Sequence, residues 1–412
     1  MKTVGIIAEY NPFHNGHAYQ ISMAKKMTGA DYCIIVMSGD FVQRGAPAVM
    51  DKYIRTRSAL ENGADLVLEL PVCYASGSAE YFASGAIALL DKLGVTDTLC
   101  FGSECDDIDS LSELAETLLD ETPQFKQVLR QQMKAGAPYP QARSHALSVT
   151  APHLTGSLHI LQTPNNILGL EYIKALKKRR SSIQPYSIKR MGSGYHTAGL
   201  EGSCSSALAI RESISRRNDI RYIKDQVPAA VYSAMEEAFG HTFPLLPNDL
   251  SALLSYKLLS EQNRGYTSYL DIDASFSDRL TRMLFSYTDY TSFCEQLKTK
   301  NMTYTRVSRN LLHILLDIHQ KDVDAYCKED YIYYAKMLGF KKEAEPLLGA
   351  VKKRTEVPLL SKLADADNLI DNKNGQKMLA ADIRAGHIYS LLVQQKFGGP
   401  IRNEYCSQVI VM

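Results

Sequence analysis

What this chain lacks narrows it first. It has almost no net charge: 46 Lys and Arg against 45 Asp and Glu leave a formal +1 at pH 7. Overall charge therefore gives no argument for nucleic-acid binding, and any such surface must be a local patch. The eight cysteines (33, 73, 100, 105, 204, 294, 327 and 406) include no C-x-x-C pair, which argues against a zinc site or a disulfide framework and fits reduced thiols. No apolar run approaches membrane length and no signal peptide precedes the first strand, so a cytoplasmic protein with no membrane partner is expected. What is present, 412 residues with 45% hydrophobic and 22% charged, is the composition of an ordinary globular protein of two or three domains.

The most informative stretch is Gly5-Ile6-Ile7-Ala8-Glu9-Tyr10-Asn11-Pro12-Phe13-His14-Asn15-Gly16-His17. Val4 to Ala8 is a short apolar run with β-branched residues and no helical period, as in a strand buried on both faces. Pro12 fixes its own φ and pushes Asn11 toward extended geometry, so the chain turns where the polar residues begin. From about His17 a helix runs through Ala18, Ile21, Ala24 and Met27 and stops at Gly29. Two imidazoles at a helix start beyond the carboxyl end of a buried strand sit where backbone N–H groups and the helix dipole attract phosphate. Gly16 leaves room for close approach, and His14 and His17 can donate to oxygens whose charge grows during nucleotidyl transfer. A His-x-Gly-His at the first strand-to-helix turn of an α/β domain is similar to the signature of the nucleotidylyltransferase superfamily.

Short strands then alternate with helices. Asp31 to Met37 reads as a strand, Asp51 to Asn62 as a helix with Asp51 as N-cap and Gly63 as its stop, and Ala64 to Leu70 as a third strand. Ser78 to Leu93 reads as a helix and Thr98 to Phe101 as a fourth strand leading to Gly102-Ser103-Glu104. This pattern predicts right-handed βαβ units and a parallel, Rossmann-like α/β sheet, with ligands bound beyond the carboxyl ends of its strands. The loops from Tyr10 to His17, Ser38 to Arg44, Pro71 to Ser78 and Gly102 to Glu104 all fall there.

Asp106 to about Ser148 reads as a polar helical insertion or lid. In Thr163-Pro164-Asn165-Asn166, one asparagine can cap the following helix and the other can read a base or hydroxyl edge. Seven basic residues against one acid lie between Glu171 and Arg190. Lys177 to Arg180 suits a solvated helix end, whereas Lys189 and Arg190 emerge at the end of a strand around Tyr186 to Ile188, beside Gly192 to His196, a design suited to phosphate. Gly202-Ser203-Cys204-Ser205-Ser206 leads into a helix carrying Arg211; serine hydroxyls and N–H groups at a helix start cradle phosphate, and Arg211 can reach back to it. Asp219 to Val227 reads as a linker, giving a catalytic domain over 1–218 and a mainly α-helical domain over 219–412. In the latter, Arg306, Arg309, Lys341, Lys342 and Lys352 to Arg354, with Tyr331, Tyr333 and Tyr334 nearby, suit an RNA surface.

The motifs together, His14-Asn15-Gly16-His17, Met-Ser-Gly-Asp-Phe-Val-Gln-Arg-Gly from Met37, Phe-Gly-Ser-Glu from Phe101, Pro-Asn-Asn-Ile-Leu-Gly from Pro164 and Ala-Ile-Arg ending at Arg211, resemble those of the bacterial tRNA(Met) cytidine acetate ligase family over essentially the whole chain. Cys204 is a departure in the second superfamily motif. The resemblance implies activation of acetate by ATP, with Mg²⁺ held mainly on the triphosphate, and acetyl transfer to the wobble cytidine of elongator tRNA(Met). It implies ATP contacts from Ile7 through Gln20 (Ile7, Ala8, Glu9, Tyr10, Asn11, Pro12, Phe13, His14, Asn15, Gly16, His17, Ala18, Tyr19, Gln20), and from Gly102, Asn165 or Asn166, Arg190, Ser205 and Arg211. His14 and His17 are the expected catalytic pair, and Asp40, with Gln43 and Arg44, is expected to line the acetate pocket or place the cytidine amine. The competing readings are a small-molecule adenylyltransferase acting on a phosphorylated substrate, and an RNA-binding protein with a vestigial nucleotide site.

Overall fold

The computed structural model describes residues 1–190 and 205–412; the run from Gly192 to His196 and Gly202 to Cys204 lie outside them. In chain order the strands are β1 (Thr3–Ala8), β2 (Tyr32–Ser38), the short hairpin arms β3 (Phe41–Val42) and β4 (Ala46–Pro47), β5 (Leu66–Leu70), β6 (Thr98–Ser103), β7 (Gln184–Lys189), β8 (Ala335–Phe340), β9 (Leu359–Leu360) and β10 (Ile410–Val411). Eight of these form one sheet in the order β10, β8, β5, β2, β1, β6, β7, with β9 also pairing β8. From β5 to β7 all pairings are parallel, as the βαβ alternation predicts.

Ten helices matter below: α1 (Asn15–Thr28), α2 (Lys52–Glu61), α3 (Ala79–Lys92), α4 (Ile108–Leu119), α5 (Pro123–Lys134), α6 (Tyr139–Thr150), α7 (Pro164–Arg179), α8 (Ala207–Arg217), α9 (Tyr304–Leu316) and α10 (Lys373–Phe397). The expected caps are present. Asp51 accepts from the N–H groups of Tyr53 and Ile54 at 2.8 and 2.9 Å, Ser78 accepts from Tyr81, and the backbone turns left-handed at Gly29, Gly63 and Gly94. The β1, β2 and β5 side chains are buried on both faces of the sheet, in one cluster with α3 and in another with α1. The contact of α3 with the sheet is close enough that a Cβ on Gly5 would stand 2.9 Å from Leu90, so β1 needs glycine there.

The chain beyond 219 returns to this sheet. β8 lies antiparallel beside β5, and β9 and β10 pair with β8. The boundary at 218/219 does not divide the sheet, because its last three strands come from the helical half. Nor is 219–227 a free connection: residues Arg221–Gln226 form a 3-10 turn, where the Asp225 carbonyl accepts from Asn15 and the Gln226 side chain accepts from the Ser205 N–H.

The joint between the halves is ionic as well as apolar. Lys52, fully buried in the first turn of α2, places Nζ 3.2 Å from Asp40, 3.1 Å from Glu69 on β5 and 2.7 Å from Glu404. Lys336 on β8 completes the cluster, 2.7 Å from Glu69 and 3.3 Å from Glu404. Burial alone would raise the Glu404 carboxyl, but Lys52 and Lys336 outweigh it and hold the group down at about 2.

Two of the three tyrosines expected on an RNA surface make other contacts. Tyr334 is 1% exposed and donates to Asp382 on α10 at 2.6 Å, so its ring is closed to base stacking. Tyr333 donates to Glu329, and Lys352 to Arg354 form the last turn of a helix, where cations complement the dipole.

Candidate active site

The site begins where β1 ends. Tyr10 adopts a left-handed φ of 49°, the Asn11 to Pro12 peptide is cis, and the chain enters α1 through His14, which is extended (φ −144°, ψ 173°) and serves as N-cap. Ser, Thr, Asp or Asn usually fills that place. Here two imidazoles do so jointly. His14 Nδ1 accepts from the Gly16 N–H at 3.1 Å, and His17 Nδ1 accepts from the His14 N–H at 3.2 Å. This reciprocal pair is a capping box built from histidines, and it explains why the helix starts at Asn15 rather than near His17.

The cap fixes the tautomers. A neutral imidazole has one donor and one acceptor nitrogen, and Nδ1 is the acceptor in both rings, so each carries its proton on Nε2. The rings stack with centroids 3.6 Å apart. A Cβ on residue 16 would lie 2.9 Å from His14 Cε1, so glycine is what allows the His14 ring to fold over the helix start. Burial, then the charges of Arg190 and Arg211, lower the His14 pKa to about 3. Burial, the His14 ring and Arg190 lower that of His17 well below its usual value. Both groups are therefore neutral donors at neutral pH.

A titration follows. In the ligand-free protein His14 is expected to stay neutral until the pH nears about 3, and His17 to titrate well below the usual imidazole range; ring C–H chemical shifts followed from pH 8 downward check this. The sign for stability is fixed by the same shifts. A pKa lowered on folding means that the unfolded chain takes up protons first as pH falls, so the His14 contribution is complete above about 6.5 and is lost progressively toward about 3.

A cavity of about 280 Å³ opens beyond the carboxyl ends of β1, β6 and β7 and is lined by Ile7 to Asn11, His14, His17, Gln20, Gly102, Asn165, Arg190, Ser206 and Arg211. A smaller adjoining one of about 50 Å³ adds Gly16, Tyr19 and Ser205. Within the stretch from Ile7 to Gln20, then, Pro12, Phe13, Asn15 and Ala18 line neither; Phe13 is 1% exposed in the core.

Two arginines are tied to the rim of this cavity. Arg190, just past β7, lies against Gly102, where a Cβ would come within 3.2 Å of its Cγ. It donates to Asn165 Oδ1 at 3.4 Å, while Asn165 Nδ2 donates to Glu104 at 2.6 Å. Arg211 donates to the Asn11 carbonyl, which ties α8 to the turn. Burial and Arg44 bring its pKa down to about 10, although Glu9 opposes them. A guanidinium this desolvated, with Arg190 and two neutral imidazole donors facing the same space, forms a place for an anion. Against this polar wall stand Phe101, Leu168 and Tyr172, an apolar slot fit for a flat ring.

The two asparagines have different roles, and neither caps α7, whose N-cap Thr163 makes no side-chain cap bond. Asn165 faces the cavity. Asn166 is 2% exposed and accepts from Ser103 Oγ, the Glu104 N–H and the Cys105 N–H at 2.7, 2.9 and 3.2 Å, so it holds the loop after β6. Ser206 caps α8 through Ala209.

Asp40 does not line the cavity. It stands at the carboxyl end of β2 as expected, but its carboxylate turns inward to accept from the Lys52 backbone at 3.0 Å and to pair with the Lys52 ammonium. Its loop neighbours Gln43 and Arg44 do reach the cavity. Three contributions were not legible in sequence. Thr305, on α9 of the helical half, lines the cavity. Gly45, at the tip of the β3–β4 hairpin that carries Gln43 and Arg44, is clasped by Tyr290 and Ser308, both donating to its carbonyl. Arg55, 1% exposed, donates to the carbonyls of Met50, Glu9, Ser38 and Gly39 and so ties together the ends of β1 and β2.

Residues 1–400 match the HIGH Nucleotidyl Transferase family. A tRNA(Met) cytidine acetate ligase of Acetivibrio thermocellus is 37% identical over 100% of both chains, and one of Caldanaerobacter subterraneus subsp. tengcongensis is 38% identical over 95% of each. Among solved structures, Thermotoga maritima TmcAL in its apo form superposes with a TM-score of 0.94, and the same protein bound with alpha-thio ATP with 0.92. Each is 29% identical and covers 100% of both chains.

Proposed function

The chain belongs to the tRNA(Met) cytidine acetate ligase family, and on that premise we propose that it activates acetate with ATP and transfers the acetyl group to the wobble cytidine of elongator tRNA(Met), giving N4-acetylcytidine. The observation that carries this reading is the histidine cap: two neutral Nε2–H donors and two arginines face one cavity at the end of a parallel sheet. A solved relative of the same fold binds an ATP analogue.

In the first half-reaction an acetate oxygen attacks the α-phosphorus in line, the bond to the bridging oxygen breaks, and pyrophosphate leaves. His14 and His17 donate to the oxygens on which charge grows; Arg190 and Arg211 hold the triphosphate; the adenine lies between Gly102 and the slot of Phe101, Leu168 and Tyr172. Because these donors are fixed before the reaction, little reorganisation is needed at the transition state. In the second half-reaction the cytidine N4 attacks the acetyl carbon, AMP departs with the bonding pair, and the proton lost by the amine passes to water. Gln43 and Arg44 stand where they can orient the acyl group, and Asp40 acts only through Lys52. Among the described residues no group of three or more His, Cys, Asp or Glu is arranged to hold a metal ion, so Mg²⁺ would be carried by triphosphate oxygens and water.

Incubating the protein with ATP, acetate and total tRNA, followed by nucleoside mass spectrometry, tests this. N4-acetylcytidine that requires both ATP and acetate is expected. Adenylation of a phosphorylated small molecule with no modified nucleoside would establish the adenylyltransferase reading instead.

A further inference from the structure

The segment between the two cavity loops after β6 and before α7 has a charge pattern that the ATP site does not use. No aspartate or glutamate occurs between Glu121 and Glu171, while Lys126, Arg130, Lys134 and Arg143 do. Three of these are four residues apart on α5, which puts them on one face. All three are exposed, and none has an ion-pair partner among the described residues. With Gln127 and Gln131 between them, and Glu121 and Pro123 at its beginning, they line an open concavity in which three cations face one carboxylate. Like charges four apart repel within a helix, so this face is built against the helix's own stability.

Its location gives the stripe a direction. The chain leaves the cavity at Gly102 to Glu104 and returns at Pro164 and Asn165, and Glu104 bonds Asn165 directly, so the insertion projects from the cavity's edge. The far end of α5 is tied to the helical half: Lys300 donates to the Gly136 carbonyl at 3.1 Å, a few residues before Thr305, which lines the cavity. The basic face of α5 thus belongs to an insertion whose two ends lie at the cavity and whose α5 end touches the segment leading to Thr305.

We propose that this face of α5 is the docking surface for the phosphate backbone of the tRNA substrate, positioning the anticodon arm with its cytidine at the cavity. The inference rests on the ligase reading above. The near-zero net charge makes a local track of this kind necessary, since the molecule as a whole exerts little pull on RNA.

The test is the triple charge reversal Lys126→Glu, Arg130→Glu, Lys134→Glu, beside the charge-preserving triple Lys126→Arg, Arg130→Lys, Lys134→Arg. Two assays are needed: acetate-dependent exchange of pyrophosphate into ATP without tRNA, and acetylation of elongator tRNA(Met) over a range of salt. For the reversal, wild-type exchange is expected together with a KM for tRNA raised about tenfold or more, and a salt dependence of log KM shallower by about 2. The charge-preserving triple should match wild type in both assays. Unchanged KM and salt slope in the reversal would overturn the proposal, as would loss of exchange along with acetylation. Wild-type protein that performs neither assay would defeat the ligase reading itself, a separate outcome.

Discussion

Replacing His17 by alanine is expected to slow acetate-dependent pyrophosphate exchange by about 10²- to 10³-fold, the usual loss when one preorganised donor to a developing oxyanion is removed. The structure sharpens that figure into a choice between kcat and binding. His17 is not a charged phosphate ligand, because burial and its neighbours keep it neutral, and Arg190 and Arg211 remain to attract the triphosphate. The loss should therefore fall on kcat, with the ATP dissociation constant moved less than about tenfold. A second, smaller effect is structural: the His14 N–H loses its acceptor, at a cost of about 1 kcal/mol in stability. Asparagine at 17 separates the two, since its amide can replace part of the cap while placing no donor where Nε2 stood. Exchange in His17→Ala within tenfold of wild type would show that the imidazole is only a cap.

Replacing Lys52 by methionine should be the most destabilising conservative change outside the apolar core. A methionine keeps most of the side chain's length, but Glu69 and Glu404 then share Lys336 alone, and Asp40 loses its ammonium partner. Breaking a buried ion network by removing one partner costs about 3–5 kcal/mol, a large part of the ~5–15 kcal/mol that holds a typical domain together. The pH dependence identifies the cause. In the variant the abandoned carboxylates have raised pKa values, so the cost is greatest at neutral pH and shrinks as pH falls and they protonate. Urea midpoints at pH 7 and pH 5 should show a deficit that is clearly smaller at pH 5. An equal deficit at both would mean that packing, not charge, is what Lys52 supplies.

The turn from β1 into α1 was legible because everything it needs is local: an apolar strand, Pro12, and histidines two residues on. So were Gly102 and Arg190, since strand ends announce themselves by the switch from apolar to polar residues. The helix start at Asn15 was not, because imidazoles are unusual capping residues and no spacing rule distinguishes His14 as cap from His17 as first-turn residue. Asp40 illustrates the opposite error. A carboxylate at a strand's end reads as a site residue, and only the buried Lys52, which in sequence looks like the start of an exposed helix, explains why it turns inward. Arg55 looks equally ordinary in sequence, though its guanidinium is spent wholly on backbone carbonyls. Thr305 and Glu404 depend on pairings hundreds of residues apart, for which a single sequence carries no sign. The sheet order shows the same limit: alternating strands and helices predict the parallel half, while β8 arrives antiparallel after a long helical excursion and no periodicity records which edge it joins.

That late arrival also sets an order of events during synthesis. Until Ala335–Phe340 has emerged from the ribosome, β5 presents a bare apolar edge, and Lys52 has neither Glu404 beside it nor Lys336 to share Glu69. A growing chain of about 220 residues already holds the histidine turn and both clamp arginines, yet it has an open sheet, an unbalanced buried charge and a cavity without its Thr305 wall. Such an intermediate must be shielded or short-lived, and ligand affinity should appear abruptly as the last strands dock rather than grow with chain length.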